Sequence, residues 1–600
     1  MIAALVLPQV VPPNAVTALN LIAIYSILAM SLDLLVGYTG LQSLGQATFF
    51  GVGSYCIGIL IANHSWGWWP ALGIAMLVGT LAALLVGSMS LHLDGLFFSV
   101  TTIAFSQILW GMAQSWGEVT GGSGGLQAIP RFSSALQSDV VHYYIVLAVA
   151  VASGLLLKRL GGSSFGLTLR GIRDSEARMS TTGYNPRIHK LTIFVICGFF
   201  ASLSGTLAVS FNGFVNPSAF ELSTSFDAML MVILGGAGTV WGAVLGAIGV
   251  VGIRTYLSSY IEHSIIILGL IYILAVRFAP NGILGLTRSL TLTRRNARKT
   301  TDAEIDSSEV SPEPQGPPAE DTSRTEDRLP NPQSGWTSEL SPSRLARRQG
   351  PSALSIKGLS RSYGNIHAVA DISLDIAPGQ RLGVLGPNGA GKTTLFNLIS
   401  GAVQPTSGEI KIFGEDATRM PMHARAKLGL GRTYQTTKLF PSLSVLDNAR
   451  LGAMGLRPER FSMLRSVTGQ KAISAKVQGL LEFANLWHLK DIPVKELSYG
   501  HQRQLELVVA LGTDPDLLLL DEPAAGLSIV ETKPMVELVK SLDPGLTVLI
   551  IEHDMDVAFE VADDLIVMHN GALLAQGSQE QVRADSRVQD VYFGRDYSEN

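Results

Sequence analysis

Apolar residues fill the first half of the chain in runs about as long as a bilayer is thick, and mixed patterns follow. A membrane span needs about 20 largely apolar residues. Runs of that kind fall near 16–37, 44–63, 69–93, 96–114, 140–158, 190–212 and 261–279, and each predicts a helix. Their recurrence argues against a soluble protein with merely buried helices. A further run at 222–252 is interrupted by Gly235-Gly236-Ala237-Gly238. Small residues recur inside the runs, as in GVGSYCIGILIA, and let helix backbones approach closely in lipid.

Cations orient this half. From Met1 to Leu157 the only Lys or Arg is Arg131, whereas Lys158 to Lys190 holds seven. Cytoplasmic loops collect Lys and Arg, so 158–190 is predicted to be cytoplasmic. The same holds for Arg294, Arg295, Arg298 and Lys299. Both ends of 190–290 then lie on one side, which requires an even number of crossings. Counting 222–252 as one pass makes three. That run is therefore predicted to be a broken pair or re-entrant element, with its break at Gly235–Gly238. Irregular backbone at membrane depth must be covered, so the break is expected to face the interior of an assembly. In the cation-rich loop, Phe165, Leu169, Ile172 and Met179 share one helical face, while Arg170, Arg173, Asp174 and Arg178 fall elsewhere. Gly183 and Asn185-Pro186 are expected to end this helix. A short amphipathic helix of this kind either anchors on the bilayer or docks a motor. No intramembrane charge pair stands out to single out a solute, and Asp33 and Asp94 sit near span ends.

Composition divides the chain further. Six hundred residues exceed one hydrophobic core. A net charge of −4 gives no case for a nucleic-acid partner. Cys56 and Cys197 lie in apolar runs, as small buried hydrophobes rather than metal ligands or a disulfide framework. The start of the chain lacks the basic region of a secretory signal, so the first run is read as a mature span. Residues 291–350 contain SSEVSPEPQGPPAEDTSRTEDRLPNPQSG, rich in Pro, Ser and both charges, and are predicted to be a disordered linker. About 60 flexible residues span roughly 45 Å root-mean-square, which keeps the next domain close without fixing where it docks.

The second half carries chemistry. In RLGVLGPNGAGKTTLFNLI an apolar strand runs into Gly386-Pro387-Asn388-Gly389-Ala390-Gly391-Lys392-Thr393-Thr394, and a helix follows. Such a loop turns successive N–H groups into a nest for phosphate oxygens at a helix N-terminus, with the lysine on the β/γ phosphates and the first threonine on Mg²⁺. DLLLLDEPAAGLS ends a buried strand in Asp521, placed to hold the Mg²⁺ shell, and Glu522, placed to polarise the attacking water. Adjacent strand residues point oppositely, so the two carboxylates need not share a task. TVLIIEHDMD repeats the arrangement with His553 at the strand exit, either structural or in contact with the γ-phosphate of ATP. Tyr363 in LSRSYGNIHAV either packs in a sheet or stacks on adenine. Ser498 and Gly500, in LSYGHQRQLELVVAL, open a second helix suited to phosphate.

Residues 350–600 resemble the nucleotide-binding domain of ABC transporters, with the phosphate loop at 386–393, the acidic strand at 517–522 and the signature at 498–502. The resemblance makes Gln435 in GRTYQTTKLF a Mg²⁺ and water contact, His553 a γ-phosphate contact and Tyr363 the adenine platform. It adds Ser498, Tyr499, Gly500 and His501 as contacts to the nucleotide of a second domain, so that two domains sandwich two ATP. GLGRTYQTTKLFPSLSVLDN, DEPAAGLS and IEHDMDVAFEVAD resemble the ATPase subunit of branched-chain amino acid importers. LDLLVGYTGLQSLGQATFFGVGSY, TGGSGGL and VILGGAGTVWGAVLGA resemble their permease subunit. His501, Tyr499 and Ser528 depart from the commonest residues of the wider family.

The fold expected is a polytopic α-helical membrane domain (1–290) plus an α/β P-loop NTPase of the ABC type (351–600), joined by the disordered linker (291–350). The resemblance implies ATP-driven, binding-protein-dependent import of branched-chain amino acids, with urea, short amides or other amino acids as alternative solutes. It implies ATP and Mg²⁺ as cofactors, and as partners a second ATP-binding subunit, a second permease subunit, an extracytoplasmic substrate-binding protein and membrane lipid. The location implied is the plasma (inner) membrane, multi-pass, with the ATP-binding domain cytoplasmic. The 165–182 helix would then dock the motor in a groove near Gln435. An exporter would carry long cytoplasmic helical extensions or its motor first, and a soluble ATPase would lack the first 290 residues.

Overall fold

A computed structural model describes residues 7–132, 138–257, a few positions between 269 and 282, and 342–593. The run at 261–279, the cations at 294–299 and linker residues 291–341 lie outside the described residues, apart from scattered positions. The chain divides into two compact units, one of residues 1–162 and 187–319, the other of residues 163–186 and 320–600.

In the first unit the apolar runs become α1 (Pro13–Asp33), α2 (Gln46–Ala62), α3 (Trp68–Ser90), α4 (Leu96–Ser115) and α5 (Asp139–Gly161). Among the described residues, five helices are long and apolar enough to cross a membrane, or six with the bent pair as one span. The interrupted run does break. Two helices, Leu222–Gly235 and Val240–Leu257, meet at 118° across the glycines. Gly236 and Gly238 adopt φ of +105° and +83°, which a side chain would resist. Part of the cover for this irregular backbone comes from the chain's own α1 and its continuation. The Gly238 N–H donates to Asp33 Oδ1 at 2.6 Å, and a Cβ on Gly37 would strike the Gly238 backbone. Gly37 lies in a π-helical continuation of α1, Leu34–Thr39. Of the two cysteines, Cys197 is buried, Cys56 is partly so, and both are free thiols.

The second unit takes in the cation-rich loop. One amphipathic helix was expected at 165–182; the loop forms two, α6 (Ser164–Asp174) and α7 (Glu176–Thr181). Ser175 is extended, and its hydroxyl accepts from the Arg178 N–H, capping α7. The break gives α7 a new direction. Phe165, Leu169, Ile172 and Met179 are buried as the pattern requires, but so is Arg178, at 0% exposure, which the single-helix pattern put elsewhere. Gly183 ends the segment at φ +93°. Pro186 opens the next helix, α8 (Pro186–Asn212), whose first helical position suits a residue without an N–H. The broken pair comes next as α9 (Leu222–Gly235) and α10 (Val240–Leu257).

The end of the expected disordered linker is ordered: α11 (Pro342–Arg348) packs on the second unit. Its Arg344, Arg347 and Arg348 all reach Asp516, at 3.0, 3.3 and 3.5 Å, and Arg348 also reaches Asp543 at 2.8 Å. A buried carboxylate supplies the ordering force that composition could not reveal.

Two sheets make up the rest of this unit. One is antiparallel, in the order β2 (Ile366–Ile376), β1 (Leu354–Tyr363), β4 (Ser407–Ile412), β5 (Glu415–Asp416). The other runs β10 (Ala572–Ser578), β9 (Asp564–His569), β3 (Arg381–Leu385), β8 (Thr547–Ile551), β7 (Leu517–Asp521), β6 (Leu430–Arg432). From β9 to β6 its strands are parallel. Strands β7 and β8 are entirely buried and apolar except for Asp521 and Thr547, as expected of parallel strands covered on both faces. Their C-terminal ends gather at one edge, where open α/β sheets bind ligands.

Candidate nucleotide site

Strand β3 delivers the glycine-rich loop to that edge. Gly386, Gly389 and Gly391 take φ of +149°, +82° and +99°, and a Cβ on Gly391 would meet the Ala368 carbonyl. The loop runs into α12 (Lys392–Ser400). The Lys392 ammonium donates to the Gly386 and Pro387 carbonyls at 2.6 and 3.0 Å. Burial pushes its pKa down, while Glu522 and Asp521 pull it up.

A cavity of about 530 Å³ opens there, lined by Asn388, Gly389, Ala390, Gly391, Lys392, Thr393 and Thr394 together with Gln435, Glu522 and His553. Four segments distant in sequence thus converge. Glu522 sits at their centre. Gln435 Nε2 donates to Glu522 Oε2 at 2.9 Å, and His553 Nε2 lies 2.6 Å from Oε1. Its backbone is left-handed, at φ +48°. Strained conformations of this sort occur where surrounding structure over-determines them. Asp521 is turned the other way: Oδ2 accepts from Arg432 at 3.4 Å, and Oδ1 is buried without a hydrogen-bond partner. Burial raises its pKa, against the pull of Arg432.

Other expected residues stand apart from this cavity. Tyr363 does not line it; Ile366 and His367, across the β1–β2 hairpin, do. The Tyr363 ring is half-exposed, with the Arg361 guanidinium 4.5 Å from its centroid. Ser498, Tyr499, Gly500 and His501 do not line it either. Ser498 caps α14 (Tyr499–Leu511), which follows α13 (Val445–Met454), and its hydroxyl lies 3.0 Å from His501 Nδ1. Ser528 caps α15 (Ile529–Lys540) through a reciprocal capping box with Glu531.

Sequence reasoning missed the connection from the loop helices to this site. Arg178 donates to the carbonyls of Arg432 and Glu506 at 2.7 and 2.6 Å, and pairs with Glu506 Oε1 at 3.8 Å. Burial drives the Arg178 pKa down and that of Glu506 up, and each opposes the other's shift. Glu506 also accepts from the Tyr434 N–H at 3.0 Å and lies 3.5 Å from Arg503. Arg503 donates to the Tyr434 carbonyl at 2.7 Å and to that of Gln435. Arg178, one turn past a cap, thus reaches Gln435, the residue that holds Glu522, through Glu506 and Arg503 rather than directly. Around it, Tyr184 donates to the Leu451 carbonyl at 2.9 Å and Arg173 to Ser442 at 3.0 Å. No sequence signal separates Arg178 from its basic neighbours except its position after Ser175.

The first unit also holds a charge pair that the sequence did not display. Asp227 of α9 and Arg254 of α10 are bonded across the break.

Residues 14–276 match the family of the permease component of branched-chain amino acid transport systems, and residues 369–525 match the ABC transporter family. The high-affinity branched-chain amino acid transport ATP-binding protein BraF of Pseudomonas aeruginosa is 35% identical over 251 residues, covering 40% of this chain and 97% of BraF. The corresponding LivG protein of Escherichia coli is 35% identical over 254 residues, again covering 40% of this chain and 97% of the relative. The chain belongs to the ABC transporter family. A nucleotide-free ATP-binding cassette of another ABC transporter is 29% identical, covers 40% of this chain and 99% of its own, and superposes with a TM-score of 0.37. This ABC transporter joins a branched-chain amino acid permease domain and an ABC ATPase in one polypeptide, as its two halves lead one to expect. It is a membrane protein with a cytoplasmic ATPase domain, and its hydrolysis of ATP is coupled to transport.

Proposed function

We propose that this chain imports branched-chain amino acids across the plasma (inner) membrane, as the combined permease and ATPase subunit of a binding-protein-dependent transporter. Its domains on this reading are a permease of residues 1–290, a linker of 291–350 and an ATPase of 351–600. An extracytoplasmic binding protein delivers the solute, and a second permease and a second ATP-binding subunit complete the assembly.

Within the ATPase, the glycine-rich loop and Lys392 bind the phosphates, Glu522 polarises the attacking water, and Gln435 and His553 hold Glu522 in place. Tyr363 serves the adenine. Ser498, Tyr499, Gly500 and His501 lie away from their own cavity, which supports their serving the nucleotide of the second ATPase. Thr393 and Gln435 line the cavity and carry hard oxygens of the kind Mg²⁺ takes, and Asp521, outside that lining, offers the buried, unpartnered Oδ1 as the third donor of the set. That ion, when bound, neutralises charge on the phosphoryl group.

One observation carries the coupling of hydrolysis to transport: buried Arg178, in the loop between α5 and α8, is bonded to the carbonyls of Arg432 and Glu506, and Glu506 lies beside Arg503, which holds the Gln435 carbonyl. Closure of the ATPase pair moves Gln435, and the loop transmits that movement to the two helices it connects. The passive-anchor reading of the loop does not account for a cation with no exposed surface.

The test is accumulation of labelled leucine, isoleucine and valine by vesicles containing the whole assembly. Lys392→Ala and Glu522→Gln should abolish accumulation, the latter with ATP binding retained. Accumulation that persists in both variants would overturn the reading.

A further inference from the structure

A second cavity, of about 350 Å³, lies in the permease unit among α1, α2, the far end of α8 and the two limbs of the broken pair. Small-molecule pockets run from about 300 to 1,000 Å³, so the volume suits a single small solute. Its wall has two chemistries. Leu21, Phe50, Val209 and Val250 are apolar, whereas Glu221, Asp227 and Arg254 are charged.

Asp227 and Arg254 are paired, with side-chain exposures of 13% and 61%. Charges on membrane-spanning helices are costly, pair with one another and mark solute pathways. A neutral solute needs neither sign, and an anion or a cation alone needs only one. An α-amino acid presents both, on adjacent atoms. The position along the chain fits as well. Helix α8 leaves the cation-rich cytoplasmic loop at Pro186, and its other end, Asn212, lines the cavity with Asn216 and Glu221. Twenty-seven helical residues rise about 40 Å, enough to cross the bilayer, so the cavity lies toward the outer side.

We propose that this cavity is a solute site on the transport path, built for a zwitterionic α-amino acid with an apolar side chain. Arg254 takes the carboxylate, Asp227 with Glu221 on the same wall takes the ammonium, and Leu21, Phe50, Val209 and Val250 take the side chain. Arg254 and Asp227 each exchange one partner for another, so neither is left bare. Because the pair joins α9 to α10, the solute enters between the two limbs, and occupancy is felt at the break. The assignment rests on the import reading above.

The experiment uses the full assembly in ATP-loaded vesicles and reads leucine uptake and basal ATP hydrolysis. Arg254→Gln and Asp227→Asn should each lower uptake by about tenfold or more, with hydrolysis within about twofold. The exchanged double variant, Arg254→Asp with Asp227→Arg, should not recover it. Recovery by the exchange, or unchanged uptake in the single variants, overturns the site while wild-type leucine uptake leaves the import reading standing. A wild type that accumulates none of the three amino acids overturns both. In case a variant fails to assemble, labelled leucine bound to the wild-type assembly in nanodiscs, without binding protein, gives an independent result. Leucine should displace it, whereas leucinol and 4-methylpentanoate, each lacking one charge, should not; displacement by either at leucine's own concentrations overturns the site.

Discussion

Replacing Arg178 by methionine removes a guanidinium with no exposed surface and keeps most of its apolar stem. Two carbonyl oxygens, those of Arg432 and Glu506, lose donors at 2.7 and 2.6 Å, and the Glu506 carboxylate loses its partner at 3.8 Å. Breaking a buried ion pair costs about 3–5 kcal/mol, because the remaining charge is left in a poor solvent. Arg503 still stands 3.5 Å from Glu506, so the low end applies, about 3 kcal/mol. That is roughly 100-fold in the equilibrium for seating the loop on the ATPase. Uptake of leucine by the assembled transporter in vesicles should therefore fall by about two orders of magnitude. Basal ATP hydrolysis should change far less, since Arg178 does not line the nucleotide cavity. Arg178→Lys keeps the charge but loses the planar fork that serves two carbonyls, and should fall between. Uptake within about twofold of wild type in Arg178→Met, set against that estimate, would refute the coupling argument.

Two further outcomes concern buried carboxylates. Glu552 is 3% exposed, and its pKa is raised to about 7, chiefly by burial, against the pull of the Ala524 and His553 N–H groups. The folded form therefore holds this proton more tightly than the unfolded chain, whose carboxyl titrates near pH 4.3. The sign is that stability is lost as pH rises from about 4.3 through about 7, by roughly 4 kcal/mol in all. Glu552→Gln should flatten that slope and raise the melting temperature at pH 8 more than at pH 5; an unchanged slope in thermal melts counts against it. Asp516→Ala removes the carboxylate that three arginines of α11 share. A loss of about 3 kcal/mol, the low end for a buried pair, should show as a lower melting temperature and as proteolytic cutting within 342–348; an uncut α11 would contradict it.

Features governed by local pattern were legible in the sequence. The described apolar runs became helices, the glycine stretch placed the break at Gly235–Gly238, and the phosphate loop and Asp521-Glu522 stood at strand ends that the sheet brings together. What was not legible depends on partners far along the chain. Arg178 reads as one more surface cation until Ser175 breaks the helix and turns it toward Glu506, 328 residues away. Arg344, Arg347 and Arg348 read as the end of a disordered stretch because the carboxylate that orders them lies beyond position 500. Asp227 and Arg254 read as isolated charges until the 118° bend folds one helix back on the other.

The arginine clasp on Asp516 also determines where any pull from the preceding segment is felt. Asp516 immediately precedes β7, whereas Glu522 follows the other end of that strand. Six residue steps along the strand put about 20 Å between them. The clasp is thus fastened at the heel of the sheet and the nucleotide cavity opens at its toe, so tension on α11 enters β7 at the end farther from ATP.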